Sequence, residues 1–129
     1  MRAPAIARAV VVVGLAAIGA CGNGGGNAAR EALIAAWKTG GLAPSAFAAV
    51  KDSPVGTDCQ AGTVNHVDVM VCSYPSAEAA KAAQDLGLQW VGDTTGIATP
   101  KGSLLIVAAD RKKADPKGTT INQLVKLAP

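Results

Sequence analysis

The chain has 129 residues, twelve of them Lys or Arg and nine Asp or Glu, for a net charge of +3 at neutral pH. Setting aside Arg2 and Arg8 at the extreme N-terminus leaves ten basic against nine acidic residues, a net charge of +1. That balance excludes the dense basic face of a nucleic-acid binder, and the length supports one hydrophobic core rather than two.

Arg2 and Arg8 precede an apolar stretch, Ala9 to Ile18, that ends in small residues, as a secretory signal does. The apolar run up to Cys21 is about 13 residues, whereas a membrane-spanning helix needs roughly 20, so an uncleaved anchor is disfavoured. The run Leu15-Ala16-Ala17-Ile18-Gly19-Ala20-Cys21 resembles the lipobox of bacterial lipoprotein precursors. That resemblance, confined to the leader and Cys21, implies removal of residues 1–20 as a signal peptide. It also implies a diacylglyceryl group on the Cys21 thiol, an acyl chain such as palmitate on its new amino terminus, and a location in the cell envelope. In Gram-negative members of the family an Asp after the cysteine retains the protein in the inner membrane. Gly22 stands there instead, which implies the periplasmic face of the outer membrane where one exists. Multiple acyl chains anchor stably because each buried methylene contributes about 0.8 kcal/mol.

Residues 21–27, Cys-Gly-Asn-Gly-Gly-Gly-Asn, read as the acylated residue and a flexible linker, with a single domain over 28–129. The glycine cluster lacks the last glycine and the acidic partner of a dinucleotide-binding fingerprint. Three cysteines are odd for an exported protein. Acylation of Cys21 would leave Cys59 and Cys72 to pair in a compartment that permits disulfides. Their spacing matches no C-x-x-C redox, haem-attachment or paired zinc motif.

Along the domain, Ala28 to Lys38 reads as a helix with Leu33, Ile34 and Trp37 on one face, stopped by Gly40-Gly41. Pro44 to Lys51 reads as a short second helix carrying Phe47 and Val50. Val67, Val69 and Val71 then alternate with Asp68, Met70 and Cys72 at the period of a strand. A two-residue turn at Asn65-His66 would set Val64 opposite Val67, Ala61 opposite Met70 and Cys59 opposite Cys72. That last pair would be non-hydrogen-bonded with Cα atoms about 4.5 Å apart, within disulfide reach. Ser76 is placed to cap a helix with Ala79, Ala83, Leu86 and Trp90 on one stripe.

A second hairpin is expected from Thr95–Thr99 and Ser103–Ala109 around a Pro100-Lys101-Gly102 turn, with Leu104-Leu105-Ile106-Val107, apolar on both faces, as a central strand. Thr120-Ile121-Asn122-Gln123 fits a capping box that opens a final helix, with Ile121, Leu124 and Val125 inward. The expected class is α+β: a small four-stranded antiparallel sheet of two hairpins, with helices packed mainly on one face.

Chemistry is sparse. His66 is the sole histidine and no G-x-S-x-G elbow accompanies it, so a Ser-His-Asp triad has no support. His66, Asp68 and Met70 could present a metal face at strand spacing, but a mixed set without a second histidine makes a poor site. Asp93-Thr94-Thr95-Gly96 is an altered single copy of a motif that aspartic proteases need twice. Arg111-Lys112-Lys113 with Lys117 is the densest basic patch; it could touch anionic lipid headgroups or polymer, but flanking Asp110 and Asp115 favour a solvated loop. Trp37 and Trp90 fit the core better than a ligand pocket. The expectation is therefore a membrane-anchored, non-enzymatic binding or structural domain, without catalytic residue, metal or cofactor, serving an envelope protein or polymer. The alternative is a small-ligand or metal carrier in the envelope.

Overall fold

A computed structural model describes the backbone of residues 17–129 and the side chains from Asn27 onward. Residues 1–16, most of the expected signal peptide, and the Cys21 side chain lie outside the described residues. The elements, in chain order, are α1 (Ala17–Thr39), β1 (Ala48–Ala49), β2 (Cys59–Val64), β3 (Val67–Ser73), α2 (Ala77–Ala82), α3 (Gln84–Val91), β4 (Gly96–Lys101), β5 (Leu104–Ala109) and α4 (Thr119–Lys126).

The valine alternation forms the hairpin its period predicts. β2 and β3 pair antiparallel with Val64 opposite Val67, Ala61 opposite Met70 and Cys59 opposite Cys72. Asn65 and His66 both take positive φ, 49° and 71°, as a type I′ turn requires to match the twist of the flanking strands. Tertiary contacts stabilise this turn. The Asn65 Oδ1 accepts from the Ala43 N–H at 2.8 Å, and the Asn65 N–H donates to the Ala43 carbonyl. Cys59 and Cys72 are joined by a disulfide, with their Cα atoms 4.0 Å apart.

The sheet has five strands in the order β1-β2-β3-β5-β4, all antiparallel, rather than the four expected. The extra strand comes from the Pro44–Lys51 segment, which is extended instead of helical. Ala48 and Ala49 pair with Ala61 and Gln60, and Pro44 bridges Val64. Helix propensity is a weak prior that tertiary context overrides, and the free edge of β2 offers this segment hydrogen bonds. Ser45 alone makes two of them to Thr63, its N–H donating to the carbonyl and its Oγ accepting from the amide at 2.8 Å. Gly62 lets the segment cross so closely, since a Cβ there would stand 2.8 Å from both Phe47 Cδ1 and Ser45 Oγ.

Helices cover both faces of the sheet, not mainly one. On one face Leu33 and Trp37 of α1 and Ile121 and Leu124 of α4 pack on Val67, Val69, Val71 and Ile106. On the other, Ala83, Val91 and Val55 pack on Met70, Cys72, Leu105 and Val107. Every β5 residue is buried, which explains the unbroken Leu-Leu-Ile-Val-Ala-Ala run: a strand covered on both sides has no polar face to alternate with.

Other boundaries also move. The first helix starts at Ala17 rather than Ala28 and takes in the Gly22–Asn27 stretch read as linker; no proline interrupts it. The expected helix after Ser76 divides at Ala83 into α2 and α3, with the Ser76 Oγ accepting from the Ala79 N–H as anticipated. Its inward stripe is Ala80, Ala83, Gly87 and Val91, whereas Leu86 is exposed. Small residues face the sheet because α3 lies so close to it: a Cβ on Gly87 would come within 2.9 Å of the Ala98 Cβ. Pro100 and Lys101 belong to β4, and Gly102-Ser103 make the turn. β4 is an edge strand, where a proline without an N–H is tolerated. Gln84 covers part of that edge by donating to the Ala98 carbonyl at 2.7 Å.

Candidate functional site

Two ends of the sheet carry the polar architecture. At the end where β2 begins and the β4–β5 hairpin turns, Arg30 of α1 is 2% exposed. Its guanidinium donates to the Asp58 carbonyl at 3.2 Å and to the Asp58 carboxylate at 3.1 Å, and its Nε has no partner. A buried arginine survives because its terminal N–H groups find a carbonyl, a carboxylate and, at 3.4 Å, the Asn27 Oδ1. The contact pins α1 beside the disulfide, one residue from Cys59. Next to it an open cavity of about 350 Å³ lies between Ala32 and Leu33 of α1, the Lys101–Leu104 turn and Pro129. Nearby on the other face the Tyr74 hydroxyl donates to the Val55 carbonyl at 2.7 Å, and burial raises its pKa above the ordinary tyrosine value, keeping it a donor.

At the opposite end, the loop from Asp110 to Gly118 is built on two aspartates that the sequence suggested were solvated neighbours of the basic patch. Both are buried. Asp110 accepts from the amides of Ala114 at 2.7 Å and Asp115 at 2.8 Å. Asp115 in turn accepts from the amides of Thr120 at 3.0 Å and Ile121 at 2.9 Å, two of the donors a helix start leaves free. The carboxylate also meets the positive end of the α4 dipole. The expected Thr120 capping box therefore does not form. Gly118 is the N-cap residue, without a side-chain bond, and Asp115 caps from five residues upstream of Thr120. Rules that look for the cap immediately before a helix miss that offset; the only local signal was an Asp ahead of Pro116 and Gly118.

Removing the Asp115 carboxylate strands two amides in a largely buried setting, which costs about 1–3 kcal/mol for an unsatisfied donor. Asp115→Ala should lower unfolding free energy by about 2 kcal/mol in urea, and Asp115→Asn, which keeps one acceptor, by less. A change below about 0.5 kcal/mol for the alanine variant would show that the cap is dispensable.

The basic residues of this loop point outward. Arg111, Lys112, Lys113 and Lys117 are exposed. Arg111 lies over the Trp90 ring at 4.2 Å, donates to the Trp90 carbonyl and stands 3.5 Å from the Asp68 carboxylate. Lys112, Lys113 and Lys117 make no ion pair among the described residues. A cavity of about 340 Å³ separates this loop from Asp93, Thr94 and Thr95 and is lined on the near side by Arg111 and Lys113.

The fold separates the three residues of the metal face that the sequence disfavoured. Met70 is 1% exposed in the core, its sulfur accepting from the Ser53 hydroxyl at 3.6 Å. Asp68 is engaged by Arg111, and His66 is exposed on the turn. Both faces of the sheet are covered at β3, so Val69 to Cys72 are all buried and the thioether lies inside the second cluster with Cys72, Leu105 and Val107. Among the described residues no group of three or more His, Cys, Asp or Glu could hold a metal ion. Trp37 is fully buried, and Trp90 is half-buried beneath Arg111. Asp93 and Thr94 sit in the loop before β4, where Thr94 donates to the Val91 carbonyl at 2.9 Å. Among the described residues no helix is long and apolar enough to cross a membrane.

No family model, curated protein or solved structure matches the chain.

Proposed function

We propose that this protein is a bacterial envelope lipoprotein, anchored through Cys21, whose small domain has a non-enzymatic binding or structural role. The observation that carries the reading is Ile18-Gly19-Ala20-Cys21 at the end of a charged-then-apolar leader. The Cys59–Cys72 disulfide supports it, because such bonds persist in oxidising compartments outside the cytoplasm. Gly22 favours the outer membrane in an organism that has one. The domain offers an envelope partner two distinct ends, a basic loop and an apolar cavity.

Cys21→Ser is the test. In the native host it should abolish incorporation of labelled acyl chains and leave an uncleaved precursor, because the thiol is both the modification site and part of the cleavage signal. A serine variant that is still processed and still partitions with membranes overturns the reading. The second reading, carriage of a small apolar ligand, is favoured by the cavity of about 350 Å³ beside Leu33 and Leu104. Native mass spectrometry of protein from its host should then find a ligand retained in stoichiometric amount, and an empty chain rejects carriage.

A further inference from the structure

We propose that the cavity beside α1 is a site for a single fatty acyl chain, with the oxygen-bearing end of the chain at the Lys101–Ser103 turn. The inference rests on the reading of the domain as a carrier of a small apolar ligand and names the class of that ligand.

The lining selects for hydrocarbon. Leu33 and Leu104, each no more than 5% exposed, belong to the larger core cluster, so the cavity reaches the hydrophobic core. Ala29, Ala32, Ala128 and Pro129 complete the apolar lining. Ala29 and Ala32 are exposed, and as alanines they leave open the space that longer side chains on α1 would fill. Among the described residues no aromatic ring lines the cavity, so a flat ligand finds nothing to stack on. An aliphatic chain meets methyl and methylene groups instead, and each methylene that leaves water favours binding up to about fourfold. The volume of about 350 Å³ lies at the small end of the ligand-pocket range, about 300–1,000 Å³, and suits one chain rather than a whole lipid. Polar groups are confined to the turn, where Lys101 makes no ion pair among the described residues. Its ammonium and the Ser103 hydroxyl can donate to the oxygens of an acyl group.

Position puts such a chain within reach. The cavity opens at the end of the sheet from which α1 runs back toward Cys21, since Ala29, Ala32 and Leu33 lie against the Lys101–Leu104 turn. Cys21 and Ala29 stand on the same continuous helix, about 12 Å apart at the rise of a helix. A chain long enough to fill one leaflet of a bilayer, about 15 Å, covers that distance. Two sources supply the same chemistry there: the acyl group of the protein's own anchor, and a separate lipid of the membrane that the anchor holds close.

The experiment feeds the native host palmitate that carries a diazirine near its methyl end, irradiates intact cells and maps cross-links on the full chain by mass spectrometry. Cross-links should concentrate on residues 29–33, 101–104 and 128–129. Ala29→Phe with Ala32→Phe fills the cavity from an exposed helix face. It should lower cross-linking to 101–104 and 128–129 at least about tenfold, the loss expected when two or more methylenes are displaced. Ala35→Phe, at an exposed position of α1 outside the lining, should stay within about twofold of the parent, and melting curves confirm that both variants fold. Cross-links absent from these segments, or unchanged in the double Phe variant, overturn the site. Cys21→Ser then separates the sources. Loss of the cross-links assigns the cavity to the protein's own acyl group, and their persistence with the added mass of one lipid assigns it to a separate molecule. A non-acyl ligand found by native mass spectrometry in a chain without these cross-links would leave carriage standing and overturn the acyl assignment alone. If Cys21 proves not to be acylated, cross-links to a separate lipid still report on the cavity, so failure of the anchor and failure of this site are read separately.

Discussion

Truncating Trp37 to alanine is expected to destabilise the domain by about 3–5 kcal/mol, the range for emptying a large aromatic site in a core. Against a total stability of about 5–15 kcal/mol for a native domain, that leaves little margin. Three layers meet at this indole. It is fully buried, its Nε1–H donates to the Leu124 carbonyl at 2.9 Å, and its ring centroid lies 6.3 Å from that of Phe47. α1, α4 and the segment crossing β2 therefore all lose a neighbour at once, and the Leu124 carbonyl loses its donor. Trp37→Phe should cost less, because the ring is kept and mainly the hydrogen bond and part of the volume are lost. Guanidinium titrations followed by circular dichroism measure both. An alanine variant within about 1 kcal/mol of the parent would mean that the indole is not the keystone its burial implies.

Reduction of the Cys59–Cys72 disulfide should lower the melting temperature without unfolding the protein. The cysteines are 13 residues apart, and in the chain-entropy model closing a loop of that size contributes about 3 kcal/mol, with a working range of about 2–4. For a domain of this size that corresponds to a drop on the order of 10–20 °C. The fold persists because the valine face of the hairpin, Val64, Val67, Val69 and Val71, packs on the opposite side of the sheet from the disulfide. The Asn65 turn also keeps its bonds to Ala43. Thermal scans with and without reductant, paired with intact mass after alkylation, give the result directly. An unchanged melting temperature once both thiols are alkylated would show that the hairpin register does not depend on the covalent link.

How much could be read without the fold follows from which interactions are local. The β2–β3 register was legible to the residue because three local constraints agree: a two-residue period, a two-residue turn and two cysteines that must face each other. The central position of β5 was legible because a run apolar on both sides has nowhere else to go. The α+β class followed from those same patterns. The proposed lipobox would likewise be a linear signal, read in sequence order before any domain folds.

Features that depend on partners distant in sequence emerged only on folding. Pro44–Lys51 has no strong preference of its own, and the open edge of β2 made it a strand. Helix periodicity after Ser76 pointed to Leu86, yet the close approach of α3 to Ala98 and Val107 selected the face bearing Ala83 and Gly87. Arg30 gave no sign of burial, because Asp58, 28 residues away, supplies the carboxylate that permits it. Sequence order set Asp110 and Asp115 among the lysines as neutralising neighbours. Folding turned both inward onto backbone amides, because an amide left without an acceptor inside a loop costs more than a surface ion pair contributes.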